Sequence, residues 1–359
     1  MRAESVDFLR QYLNTPSPTS FEGPGQRVWC DYARPFADEV HTDAYGNCAA
    51  VLNPDATPRI VLDGHGDEVG MIVKFITDEG FLRVQFLGQV DAVRMPGQRV
   101  HIRTRKGPVL GVVALLPMHI ARQLADEKKD QDMAVHDLAI DIGAKDGKEA
   151  RKRVAVGDSI TIAADFEMLT DDVFTARGTD DRLGTFTAIE TLRLLAEKRD
   201  TLDCCVIAHS AVQEEVGMFG AYMAAFNLRA DAVIAIETGI ATDTPDVDPK
   251  RFGEINVGGG PLIHIGRENH PAIIERLRAA AKARKITLQI NAFMEDHGTD
   301  ASSFYMQMGG IPSAVVCVPT RYIHSPIGTA RLSDLAETIE LLETFCSNIK
   351  TNDVFRVEI

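Results

Sequence analysis

The sequence predicts an α/β fold that is interrupted by a small β-rich domain. Short apolar runs such as Arg59–Leu62 and Cys204–Ile207 indicate buried strands, each followed by polar residues and, after the second run, by a helix-like segment. Between residue 71 and about 168, short strand-like segments alternate with Gly, Pro and charged turns, and the α/β pattern resumes after Gly178. We therefore expect a discontinuous α/β domain over 1–70 and 169–359, with a barrel or sandwich over 71–168.

Composition limits the kind of protein. A chain of 359 residues with 45% hydrophobic and 25% charged residues can bury a large core and is typical of globular enzymes. A net charge of −14 argues against a nucleic-acid-binding or anionic-membrane surface. The longest apolar run, Val109–Leu116, is too short to span a bilayer. We expect neither nucleic acid nor membrane as a partner.

Cysteine usage and the N-terminal residues indicate the compartment. The six cysteines show no C-x-x-C spacing, and Cys204 and Cys205 are adjacent within an apolar run. This pattern favours buried free thiols in a reducing environment. The first residues are acidic and lack the apolar core of a signal peptide. We therefore expect a cytoplasmic protein.

The most informative stretch is Ala208–Gly217, which contains the adjacent carboxylates Glu214 and Glu215. It lies between a predicted buried strand and a helix-like segment, the position at which open α/β sheets carry their sites. Two neighbouring glutamates are costly to bury unless they bind a metal or transfer protons. The alternative is a solvated pair that only caps the following helix.

Four further clusters of histidine or carboxylate residues follow predicted strands or precede helices. Two imidazoles with several carboxylates form a nitrogen and oxygen donor set that suits zinc, cobalt or manganese better than calcium. The set is large enough for two divalent ions that share a carboxylate at about 3.5–4 Å separation. Including the glutamate pair, the five clusters are His65/Asp67, Asp180/Asp181, Glu214/Glu215, Glu237 and His324.

The spacing suggests roles for some members, although each also has a structural explanation. Asp67 stands two residues after His65, so in an extended segment it points to the same side and can orient the imidazole. One glutamate of the pair can bind metal while its neighbour accepts the proton of the attacking water. Asp180-Asp181 could instead cap the following helix. We interpret His209 as a core histidine and leave the role of His297 open.

Several motifs then resemble one known family, in order and over nearly the whole length. The chain resembles the tetrahedral (TET) aminopeptidases, the glutamyl and deblocking aminopeptidase family of dinuclear zinc or cobalt metallopeptidases. The Gln-Glu-Glu-Val-Gly and Arg-Tyr-Ile-His matches are specific, whereas Gly-Thr-Asp-Ala alone is weak. The matching segments are 65–70, 138–144, Asp180-Asp181-Arg182, 213–217, 298–301 and 319–325.

The resemblance implies a fold, an activity and a set of roles. It implies a mixed-sheet α/β/α metallopeptidase domain with an inserted dimerisation domain over 71 to about 168, assembled into dodecameric tetrahedra. The implied activity is two-metal hydrolysis of N-terminal residues from short peptides. The implied roles are one ion held by His65 and Glu237, a second held by Glu215 and His324, Asp180 bridging, Glu214 as general base and Asp67 orienting.

Two departures from the family pattern bear on which end of the substrate is recognised. Gly66 replaces a larger apolar residue, and Glu237 stands where Asp is more usual. In the wider clan, Glu at that position is commoner in carboxypeptidases and deacylases. Asp300 or Glu237 could attract a substrate ammonium, whereas Arg321 could bind a terminal carboxylate.

Other functions stay open from the sequence. A dinuclear carboxypeptidase or N-acyl deacylase would use the same metals on a different substrate end. A glucanase needs two carboxyls and no metal, so the histidines argue against it. An intact ligand set also argues against a non-catalytic assembly protein. Leu, Glu or Lys could each be the preferred first residue.

Overall fold

The computed structural model describes residues 1–117, 119–120, 134–292 and 298–359, so His297 lies outside the described residues. The described chain divides into two compact units. The first comprises Met1–Glu68, Phe166–Ile323 and Ile327–Ile359, and the second comprises Val69–Asp165 with His324–Pro326.

Strands and helices are numbered here in chain order over the described residues. The strands are β1 Glu39–Thr42, β2 Cys48–Leu52, β3 Arg59–Asp63, β4 Gly70–Ile76, β5 Leu82–Leu87, β6 Arg99–Thr104, β7 Gly107–Val113, β8 Ala139–Asp141, β9 Ser159–Ile162, β10 Glu167–Met168, β11 Val173–Ala176, β12 Cys205–Ser210, β13 Ala232–Ile240, β14 Leu262–Ile265, β15 Gln289–Ala292, β16 Ser313–Thr320 and β17 Gly328–Arg331. The α-helices are α1 Ala3–Asn14, α2 Gly23–Ala33, α3 Gly147–Arg153, α4 Thr179–Ala196, α5 Phe219–Leu228, α6 Pro249–Phe252, α7 Pro271–Arg284, α8 Asp300–Phe304 and α9 Leu332–Ser347. Short 3-10 turns occupy Ala92–Arg94, Val135–Asp137 and Arg199–Thr201.

The first unit is built on an eight-stranded mixed sheet with the order β1-β2-β12-β3-β13-β16-β14-β15. The central strands β12, β3, β13 and β16 are parallel, whereas β2 and β14 pair antiparallel with their inner neighbours. Parallel strands need crossover segments that cover the sheet, so their residues are buried on both faces. A separate antiparallel sheet, β10-β11-β17, completes the unit.

Two hydrophobic cores lie on opposite faces of the large sheet. Along β12, Val206 and Ala208 pack with α1, α2, α4, α7 and α9, whereas Cys205 and Ile207 pack with α5 and α8. This alternation is the period-two geometry of a strand, and because both faces are covered the sequence shows a continuous apolar run. The predicted mixed-sheet α/β/α architecture is therefore confirmed.

The second unit contains a closed six-stranded barrel with the order β4-β5-β8-β7-β6-β9, and every pair is antiparallel. On β5, Leu82 and Val84 are buried whereas Arg83 and Gln85 are exposed. The apolar side chains therefore fill the barrel interior, and closure leaves no free strand edge. The predicted β-rich insert is a barrel and not a sandwich.

No helix among the described residues is long and apolar enough to cross a bilayer.

The expectation that each polar cluster follows a strand needs one correction. β13 continues to Ile240, so Glu237 lies inside the strand instead of after its end. The pairing explains why a carboxylate is tolerated there. β3 pairs with β13 only up to Asp63 opposite Ala235, so beyond that point Glu237 has a strand neighbour only on the β16 side. The space left by the end of β3 is where the site forms.

Candidate metal centre

His65 is the central residue of the site. It follows β3, is 2% exposed, and its backbone forms a parallel bridge with Ala211 after β12. Its Nε2 lies 3.6 Å from an Asp180 oxygen, 3.6 Å from a Glu214 oxygen and 4.0 Å from a Glu237 oxygen. The imidazole nitrogen therefore faces carboxylates from three separate segments of the chain.

The first unit contains a group of three potential metal ligands. One donor atom each from His65, Asp180 and Glu237 lies within 4.8 Å of the other two. Oxygens of Asp180 and Glu215 also lie within 4.8 Å of each other. Asp180 is thus close both to the His65 and Glu237 donors and to Glu215, the position that a bridging carboxylate needs.

Asp67 connects the imidazole to the glutamate pair. The carboxylate is fully buried, with Oδ1 lying 3.3 Å from His65 Nδ1. Its oxygens accept hydrogen bonds from the backbone N–H groups of Glu214 at 3.1 Å and Glu215 at 3.3 Å, and from the Thr19 hydroxyl at 2.9 Å. Asp67 Oδ1 thus faces Nδ1 while Nε2 faces the other carboxylates, so Nε2 is the ring nitrogen that a metal would bind.

Asp180 and Asp181 have different partners, a distinction that only the family resemblance implied. Both have non-helical backbone angles at the start of α4, and the peptide bond between them is cis. Asp181 caps the helix, because one oxygen accepts the Gly184 N–H at 3.1 Å and the other accepts the His65 N–H at 3.3 Å. Asp180 accepts the Thr238 hydroxyl at 2.8 Å and faces His65. The capping alternative therefore describes Asp181 but not Asp180.

Electrostatics determine what this cluster can hold. Burial raises the pKa of Glu237 well above its ordinary value, and the Asp181 charge adds to this shift. Burial likewise raises the pKa of Glu214, which His65 opposes and Glu237 reinforces. Burial alone would lower the pKa of His65, but Glu214, Asp180 and Asp67 raise it well above normal. So many mutually repelling carboxylates around one imidazole fit a bound divalent cation, and the donor types fit zinc, cobalt or manganese.

The other predicted site residues have different environments. His324 is exposed and belongs to the second unit, where its Nδ1 lies 2.9 Å from the Gln89 carbonyl oxygen. Asp300 is fully buried, and burial followed by the neighbouring Asp63 charge raises the pKa of its carboxyl. Arg321 donates from Nε to an oxygen of Asp243 at 2.8 Å and from Nη2 to the other oxygen. The Arg321 guanidinium is therefore already paired with a carboxylate.

Some residues that support the site were not found from the sequence. Asp63 ends β3 fully buried and bonds Nδ1 of His209, which was interpreted only as a core histidine. Burial raises the pKa of Asp63 to about 8 and lowers that of His209 to about 4. Asp63 could have been recognised as a candidate site residue, because it is a polar residue at the end of an apolar strand and stands two residues before His65. Thr19 gave no signal, since its partner Asp67 is distant in the chain.

The packing around position 66 explains why this chain has glycine there. A Cβ built there would lie 2.6 Å from the Ser210 hydroxyl, 3.1 Å from Gln26 Oε1 and 3.2 Å from the Tyr12 hydroxyl. Ser210 donates to Gln26 Oε1 at 2.7 Å, and Gln26 returns a bond from Nε2 to the Ser210 carbonyl at 2.9 Å. The Gln26–Ser210 pair thus occupies the space that a larger residue at position 66 would fill.

The fold and the cluster together define a metallohydrolase of the α/β/α type, and comparisons with known proteins identify its family. The family model for the M42 glutamyl aminopeptidases matches residues 46–341. The chain is 30% identical to the lysyl aminopeptidase of Pyrococcus furiosus, over 97% of this chain and 98% of that protein.

Solved structures agree with this assignment. The TET aminopeptidase of the marine sediment archaeon Thaumarchaeota archaeon SCGC AB-539-E09 is 32% identical over 97% of both chains, with a TM-score of 0.91. The Pyrococcus horikoshii TET1 peptidase, described as assembling into a tetrahedron or a large octahedral shell, is 27% identical over 96% of this chain and 100% of that chain, with a TM-score of 0.82. The chain belongs to the M42 family of TET aminopeptidases and is a metal-dependent aminopeptidase.

Replacing Gly66 tests the steric argument. Gly66→Ala should lower kcat/KM by about tenfold or more, because the new methyl group displaces the segment between His65 and Asp67. Ser210→Ala removes the closest atom, so the double variant should recover most of the loss. Peptidase kinetics on the two single variants and the double variant complete a double-mutant cycle. Strictly additive losses would show that the Ser210 hydroxyl is not the obstacle.

Proposed function

We propose that this protein is a two-metal aminopeptidase that removes N-terminal residues from short peptides, with Glu214 as its general base. The observation that carries the proposal is the position of Asp180, whose oxygens lie near the His65 and Glu237 donors and also near Glu215. In this proposal His65 and Glu237 hold one ion, Glu215 and His324 hold the other, and Asp180 bridges them. Zinc, cobalt or manganese suits these donors.

Metal ions bound to these residues would polarise the scissile carbonyl and acidify the attacking water. Glu214 then has to accept the proton of that water and deliver it to the leaving amine. Two features support its assignment. Its oxygen lies 3.6 Å from His65 Nε2, yet among the described residues it joins no group of three potential ligands, whereas an oxygen of its neighbour Glu215 lies within 4.8 Å of one of Asp180. Its side chain is also only 10% exposed, which keeps an accepted proton away from bulk water.

Asp67 has a positioning role in this proposal. By binding the N–H groups of Glu214 and Glu215, it fixes the backbone that carries the base and the ligand. By facing His65 Nδ1 it also fixes the imidazole. One buried carboxylate thereby sets the relative positions of three side chains, which is the orientation that catalysis through a metal site requires.

The local charges favour recognition of the substrate amino end. The carboxylates around His65 would attract a substrate ammonium, and the oxygen of Glu237 that does not bind metal could contribute. Arg321 was the candidate for binding a terminal carboxylate, but its guanidinium is paired with Asp243. A carboxypeptidase would have to break that pair to bind its substrate. Asp300 is fully buried, so this proposal gives it no direct contact with the ammonium.

The proposal also covers the oligomeric state of the protein and its cellular compartment. The TET1 relative is described as forming closed shells. We propose that this chain also forms a large homo-oligomer, up to a dodecamer, with the domain over 71–168 serving dimerisation. Six buried free cysteines are consistent with a reducing cytoplasm.

Substitution of each glutamate of the pair tests the division of roles. Glu214→Gln should retain full metal content and lose kcat by about two to four decades, because the amide cannot accept the water proton. Glu215→Gln should weaken metal binding itself. The measurements are steady-state kinetics and metal analysis of the same preparations, with wild-type protein treated in parallel. The reverse pattern would interchange the two roles.

One peptide in free, N-acetylated and C-amidated forms tests the recognised end. We expect cleavage of the free and amidated forms after loading with zinc or cobalt, because only the acetylated form lacks the ammonium. Mass spectrometry of the products identifies the bond that is cut. Cleavage of the acetylated form alone would instead assign a deacylase, and cleavage of the free and acetylated forms with the amidated form spared would assign a carboxypeptidase.

A further inference from the structure

Glu22 lies at the N-terminus of α2 and contacts the loop that carries the glutamate pair. The side chain is 5% exposed, and its Oε1 accepts two backbone hydrogen bonds. One comes from the Ser20 N–H at 2.7 Å and the other from the Gln213 N–H at 3.1 Å. A single buried oxygen therefore joins two loops that are far apart in the chain.

Both donors have backbone conformations that need support. Ser20 and Gln213 have φ values of +69° and +58°, in the left-handed region that residues other than glycine seldom occupy. Such a conformation is strained for a residue other than glycine and persists only when neighbouring contacts hold it in place. At Gln213 the bond to Glu22 is such a contact, and Gln213 immediately precedes Glu214.

The three successive N–H groups from Gln213 to Glu215 all donate to buried carboxylates. The first donates to Glu22, and the next two donate to Asp67. Asp67 holds the loop from the side of His65, and Glu22 holds it from the side of α2. The direction in which the Glu214 and Glu215 side chains leave the backbone depends on both attachments.

We propose that Glu22 is a positioning residue for the reaction, which holds Gln213 in its left-handed conformation and so aims the Glu214 carboxylate. This inference rests on the proposed role of Glu214. Glu22 is not a catalytic residue, because it acts through the backbone of Gln213. Since both bonds are to Oε1, an amide oxygen at the same place can replace it.

The test compares Glu22→Ala with Glu22→Gln in the full-length, zinc-loaded protein. Glu22→Ala should lower kcat by about ten- to a hundredfold, because small displacements of a catalytic group are costly, while KM and zinc content stay near wild type. Glu22→Gln keeps the acceptor oxygen and should stay within about threefold of wild-type kcat.

A matched control separates positioning from general loss of stability. Asp334 is also a buried carboxylate that accepts two backbone N–H groups, those of Gly258 at 2.7 Å and Gly260 at 3.1 Å. Asp334→Ala should lower the unfolding temperature as Glu22→Ala does, yet retain kcat per folded molecule.

Three results would overturn the inference: wild-type kcat in Glu22→Ala, equal losses in Glu22→Ala and Glu22→Gln, or a loss that follows zinc content. Glu214→Gln, assayed in the same series, tests the proposed function separately. Full activity in that variant would remove Glu214 as the base, whatever Glu22 does.

Discussion

The repulsion among buried carboxylates around His65 is the constraint on which this structure depends. Charges of one sign in a low-dielectric interior raise each other's pKa and oppose folding unless a cation balances them. Here burial, reinforced by neighbouring carboxylates, raises the pKa of Glu214 and of Glu237, and one imidazole is their common neighbour. A cluster of this kind is costly as a structural element, but it is the environment that a divalent cation stabilises. Binding of a divalent cation at this cluster would therefore also stabilise the fold.

In this fold the carboxylates of the cluster come from separate strands and loops, and the loop that carries the glutamate pair is held through its backbone N–H groups. β3 ends early, which opens the sheet beside Glu237 in β13. Asp67 and Glu22 then accept N–H groups from the loop after β12. In our proposal these two carboxylates position the loop, and neither belongs to a group of potential metal ligands among the described residues. The sheet thus determines where the site lies, and hydrogen bonds from backbone N–H groups to buried carboxylates orient the loop that carries Glu214 and Glu215.

Much of the fold and of the metal cluster could be predicted because the signals are local. The continuous apolar run at 204–207 reflects a strand that is buried on both faces. The alternation at 82–85 reflects a barrel strand that is buried on one face. Long-range contacts were not predictable. The distinct partners of Asp180 and Asp181 depend on His65, over a hundred positions away. Likewise, nothing near Glu22 or Arg321 in the chain indicates their partners Gln213 and Asp243.

The most direct test of the two-metal centre is the number of ions that the protein binds. Metal-free protein would be loaded with zinc, freed of unbound ions and analysed for metal and protein, with Asp180→Ala treated alongside it. We expect about two ions per chain in the wild type and fewer in Asp180→Ala, because the variant lacks the bridging carboxylate. A wild-type protein that retains no zinc and whose peptidase activity is unaffected by a chelator would contradict a metal centre at His65, Asp180 and Glu237.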